Sequence, residues 1–65
     1  MNAADVSVQN EGNVLLFHLW SAQAQAWVAD NVADDAVWFG SALVVDHRYA
    51  GDLAGGMSAD GLTLC

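Results

Sequence analysis

Positive charge is almost missing from this chain: of its 65 residues one is cationic, Arg48, against eight acidic side chains, for a formal net charge of −7. Binding to phosphate needs clustered Lys and Arg, so direct nucleic-acid binding is excluded. Anionic membrane surfaces are disfavoured for the same reason. Cysteine occurs once, as Cys65, which rules out an intramolecular disulfide. The longest apolar runs, such as residues 14–19, fall far short of the roughly 20 residues a bilayer-spanning helix requires. Paired metal ligands of the C-x₂-C or H-x₃-H kind are lacking too, and His18, Asp46, His47 and Cys65 are scattered along the chain. The expectation is a protein without catalytic, metal-binding or cofactor-binding residues. Gly51, Gly55, Gly56 and Gly61 have neither the order nor the strand-before-helix setting of a phosphate-binding loop.

What is present describes a packed body. Hydrophobic residues make up 55% of the chain and charged ones 14%, the reverse of a disordered composition. A chain this short forms one domain with a thin margin of stability, roughly 3 to 10 kcal/mol by length. With one thiol and no charged, apolar and small-residue leader, a cytoplasmic location is expected.

Residues 1–12 contain the alternation Val6-Ser7-Val8 and then a turn-like Asn10-Glu11-Gly12-Asn13, which predicts an N-terminal arm or edge strand. Residues 13–65 are expected to form a single α+β domain. Within it, 14–19 is a nearly continuous apolar run and predicts a central strand. Ser21 is a candidate N-cap for a helix reaching about residue 33, with Ala24, Trp27, Val28 and Val32 on one stripe. Residues 36–39 and 42–45 flank Gly40-Ser41, the pattern of a hairpin with a type II′ turn. Asp46 is placed to cap a second helix over about 47–60, with Ala50, Leu53, Ala54 and Met57 facing inward. Gly61 and Leu62 after it, with Met57 three positions inside, match a Schellman ending. Gly55 and Gly56 inside this helix each cost about 1 kcal/mol relative to Ala, which implies either local weakness or a close approach by another element. A last strand is expected over 62–64.

The predicted order is βαββαβ, the split βαβ or ferredoxin-like arrangement, with two helices on one face of a small antiparallel sheet. Alternation along 14–19 leaves neither face polar, and an apolar face of this kind is rarely left wet. Self-association through Leu16, Phe17, His18, Trp38 and Val44 is therefore expected, with a homodimer as its simplest outcome. Trp20, Trp27 and Trp38 would suit base stacking only beside cations, which the chain lacks.

The stretch from Trp38-Phe39-Gly40-Ser41 through Val44-Val45-Asp46-His47-Arg48-Tyr49, then Asp52-Leu53, Met57 and Asp60-Gly61-Leu62, resembles the second half of short uncharacterised proteins of bacteria and their phages. The likeness extends over about residues 11–64, more weakly in the first third. His47 stands where those sequences carry Pro, which suits the first position of a helix. The resemblance implies a mobile-element origin and carries no activity or functional residue.

Two clusters are candidates for partner contact. Asp30, Asp34 and Asp35 crowd the end of the first helix, where backbone carbonyls already concentrate negative charge and a base would be preferred. Their alternatives are a solvated, salt-screened helix end or a set of carboxylates offered to a basic partner. Arg48 and Tyr49, after Asp46, either belong to a helix start or touch a partner. Size, charge and the misplaced acids lead to the expectation of a small acidic, non-enzymatic inhibitor. It would present carboxylates to a basic protein surface, that of a nucleic-acid-binding host defence complex in the manner of anti-CRISPR or anti-restriction proteins. The alternative is a homodimerisation module with no charge-based target.

Overall fold

The computed structural model describes residues 4–32 and 36–65. Its elements run β1 (Val6–Asn10), β2 (Val14–Leu19), α1 (Ala22–Asn31), β3 (Val37–Phe39), β4 (Ala42–Asp46) and α2 (His47–Ala59). The strands form one antiparallel sheet in the order β1-β2-β4-β3. The α+β class with an antiparallel sheet is thus as the sequence predicts, and residues 6–10 are a strand of that sheet.

Local chemistry accounts for each boundary. The Ser21 hydroxyl accepts from the Ala24 amide at 3.0 Å and caps α1. The helix stops at Asn31, two residues before the predicted end, with Val32 extended. The Asn31 side-chain amide donates to the Trp27 carbonyl at 2.9 Å, a second donor on the last turn. At the hairpin Phe39 pairs with Ala42, and Gly40 takes φ +61 while Ser41 keeps a negative φ. This is the type II′ signature, open to Gly at its first central position. Asp46 accepts from the Arg48 amide at 2.8 Å and caps α2. At the other end Gly61 has φ +94, the Leu62 amide donates to the Met57 carbonyl at 3.0 Å and the Gly61 amide to Ser58 at 3.1 Å. Both Schellman bonds are made, and Met57 and Leu62 are buried beside them.

The core lies on one side of the sheet. Phe17 and Leu19 of β2, Val6 of β1, and Leu43 and Val45 of β4 pack against Ala24 and Val28 of α1 and Ala50 and Met57 of α2. Gly56 of α2 lies against the Trp27 ring of α1: a Cβ there would lie 3.3 Å from Cζ2 of Trp27, whereas one at Gly55 would meet nothing within 4 Å. The Trp27 indole N–H also donates to the Asp60 carboxylate at 2.6 Å, joining α1 to the end of α2.

The last predicted strand takes a different place from the one a ferredoxin-like order implies. The free edge of β2 is filled by β1, whose Val6 and Val8 pair with Leu19 and Phe17. The chain returning from α2 therefore meets the outer edge of β1, with a parallel bridge between Leu64 and Val6. The Val6 amide donates to Thr63, the Cys65 amide to Val6 and the Val8 amide to Cys65. Asp5 fixes this junction: its backbone carbonyl accepts from Trp20, and its carboxylate accepts from the Thr63 amide at 2.9 Å.

Candidate functional site

Cross-strand register sorts the predicted contact residues by face, because residues opposite one another in a ladder point the same way. On the side away from the helices stand two complete rows, Ser7–His18–Ala42–Phe39 and Gln9–Leu16–Val44–Val37. Neither row carries a carboxylate. Leu16, His18 and Val44 thus point to the side away from the helices, with Leu16 buried at 7% exposure. Phe17 and Trp38 do not. Phe17 is 1% exposed in the core, and Trp38, opposite Leu43, points to the helix side. Both fall on the wrong alternate of their strands to join a contact made by Leu16 and Val44. Trp38 instead lines a recess of about 510 Å³ with Leu19, Gln25, Val28 and Val32.

The uncovered face is graded. Toward β3 it is apolar, with Val37 63% and Phe39 71% exposed. Toward β1 it is polar and locked by internal bonds. The His18 Nε2–H donates to Gln9 Oε1 at 2.9 Å, the Trp20 indole N–H donates to Ser7 Oγ at 2.9 Å, and the two rings stack with centroids 5.5 Å apart. Trp20 and Phe39 are the exposed aromatics that the sequence pattern alone did not assign to this face. The signal was available in the two-residue turn, which fixes Phe39 opposite Ala42.

The second surface is a groove of about 820 Å³ between the helices and β4. Trp27 and Asn31 border it from α1, Val44 and Asp46 from β4, and Tyr49, Asp52 and Leu53 from α2, over the buried Leu43 and Val45. Asp52 and Leu53 stand three and four positions after Tyr49, so each is its neighbour on the surface of α2. Arg48 stands close by. Its Nε lies 3.2 Å from Asp46 Oδ1 and its guanidinium 5.6 Å from the centroid of the Tyr49 ring.

The acids divide by task. The Thr63 amide, then the Ser21 hydroxyl, hold the Asp5 carboxyl below its ordinary value. The Arg48 amide, then its guanidinium, do the same for Asp46. Asp60 is bonded to Trp27, and Glu11 accepts from Gln9. Asp30 and Asp52 are exposed. Asp34 and Asp35 lie outside the described residues.

The two histidines have structural partners: His18 binds Gln9, and the His47 Nε2–H donates to the Gly12 carbonyl at 2.6 Å, tying α2 to the β1–β2 turn. Among the described residues no three His, Cys, Asp or Glu side chains are grouped as metal ligands. None of the described helices is long and apolar enough to cross a membrane. Comparison with family models, with curated proteins and with solved structures finds nothing that matches this chain.

Proposed function

We propose that this chain is a small acidic, non-enzymatic interaction protein of phage or mobile-element origin. It acts in the cytoplasm by occupying the basic site of a nucleic-acid-binding host defence complex, as anti-CRISPR and anti-restriction inhibitors do. The observation that carries this is the charge imbalance: seven excess negative charges on 65 residues, with the sole cationic side chain already paired to Asp46. A groove built for polyanions attracts such a body and holds it more weakly as salt rises. Asp30 and Asp52 are available for that contact, and Asp34 and Asp35 add to it from the same end of α1 by sequence. The test is capture from host lysate across a salt series. A partner retained at low salt and lost with Asp34→Lys plus Asp35→Lys supports the proposal. Indifference to both salt and charge reversal contradicts it.

A second reading, self-association, is favoured by the exposure of Val37 and Phe39 on a sheet face that neither of the described helices covers. Light scattering after size exclusion separates the two. Under this reading the protein is a dimer that Phe39→Asp converts to a monomer.

A further inference from the structure

We infer that the outer edge of β3 pairs antiparallel with β3 of a second copy about a two-fold axis at Trp38, joining two four-stranded sheets into one. This rests on the self-association reading and gives it a geometry, edge to edge. The two edges of the sheet are finished differently. In an antiparallel ladder the backbone groups of alternate residues point to opposite sides. On β1 the outward residues are Val6 and Val8, whose amides donate to Thr63 and Cys65, while the Val6 carbonyl accepts from Cys65. On β3 the two-residue turn makes Phe39 and Ala42 a hydrogen-bonded pair, so the amide and carbonyl of Trp38 are the ones that face outward. Residues 37–39 include no Lys, Pro or charged side chain to guard that edge, and its guard is its length of three residues.

Self-complementarity selects a second copy as the occupant. Val37, Trp38 and Phe39 are 63%, 47% and 71% exposed. Pairing centred on Trp38 sets Val37 opposite the partner's Phe39, and Phe39 opposite the partner's Val37, on the side away from the helices. On the helix side Trp38 meets the partner's Trp38, beside the recess it lines. Aromatic pairs and aromatic with β-branched pairs are favourable cross-strand neighbours, and no like charges are brought face to face within the strand. The two outward groups of Trp38 exchange hydrogen bonds with their equivalents and fix the register. At these exposures β3 has about 300 Å² of apolar side chain to bury per copy, against about 800 Å² per partner in a standard interface. The dimer is therefore weak and dissociates on dilution.

The experiment follows the full chain by sedimentation velocity from about 0.02 to 1 mM, with hydrogen exchange of the Trp38 amide measured at both ends of that range. The expected result is a monomer when dilute and a dimer when concentrated, with exchange at Trp38 slowed about fivefold or more in the dimer. Association should strengthen as salt rises, because two bodies of charge −7 repel one another and salt screens that repulsion. Trp38→Lys should weaken the dimer about tenfold or more, although it adds a positive charge to each copy and so eases the repulsion. A thermal melt checks that this variant folds, and if it does not, amide exchange in the wild type decides. A dimer in which the Trp38 amide exchanges as in the monomer, or which Trp38→Lys leaves intact, overturns edge pairing and leaves self-association through the sheet face standing. A monomer over the whole range overturns both.

Discussion

At the scale of single residues the two adjacent glycines of α2 are the sharpest test of the packing. Both cost the helix backbone entropy, and Ala recovers about 0.5–1 kcal/mol where there is room for its methyl group. Gly55 has room, and Gly56 faces the Trp27 ring at 3.3 Å. Gly55→Ala should therefore raise the unfolding free energy read from urea denaturation by that amount, and Gly56→Ala should give no gain or a loss. Equal gains at both positions would mean that α1 and α2 do not meet at this point. The carboxyls of Asp5 and Asp46 give a pH prediction whose sign follows from linkage. Both are held below the ordinary value of 3.8, so their contribution is fully present above that value. It is lost as pH falls through 3.8 toward the lower folded-state values. Protonating the remaining acids relieves self-repulsion over the same range. The informative quantity is thus the difference between wild type and Asp5→Asn. Wild type should melt higher at neutral pH, and the gap should close in acid. A gap that stays constant down to pH about 2 would show that the Thr63 and Ser21 contacts do not favour the ionised form.

At the scale of elements, what was legible in the sequence was what local chemistry decides. Ser21 and Asp46 at their caps, Gly40-Ser41 in its turn and Met57, Gly61 and Leu62 at the Schellman ending each carry a signal within four or five residues. The place of residues 62–65 carries none. It depends on β1 having already taken the free edge of β2, which is settled by pairing between segments far apart in sequence. Site legibility divides the same way. Leu16, His18 and Val44 followed from alternation along their strands. The errors at Phe17 and Trp38 came from grouping residues by hydrophobicity across both faces. The groove was not legible, because Trp27, Leu43, Tyr49 and Asp52 meet only after α1 and α2 dock. Met57→Ala, at the buried junction of α2 with the sheet, should cost about 2–5 kcal/mol. Chemical denaturation would check it, and a cost under about 1 kcal/mol would mean that α2 is not anchored there.

For the whole molecule, the distribution of charge separates two surfaces that a small chain seldom has room for. The two central rows on the side away from the helices carry no carboxylate, while Asp52 stands exposed on α2. Self-association through the sheet face would leave the helical side open, and two copies held together would present paired acidic surfaces with raised effective concentration. A dimer-breaking Phe39→Asp variant should then bind a monovalent basic peptide as wild type does, while losing about tenfold or more toward a bivalent one. Equal binding of the bivalent peptide by both forms would remove the link between dimer and target. The most direct test of the central claim is competition. A nucleic-acid-binding complex captured by the protein is loaded with labelled nucleic acid and challenged with increasing protein at several salt concentrations. Displacement to completion, weakening as salt rises and lost on Asp34→Lys with Asp35→Lys, is the predicted result. Nucleic acid that stays bound at saturating protein would contradict it.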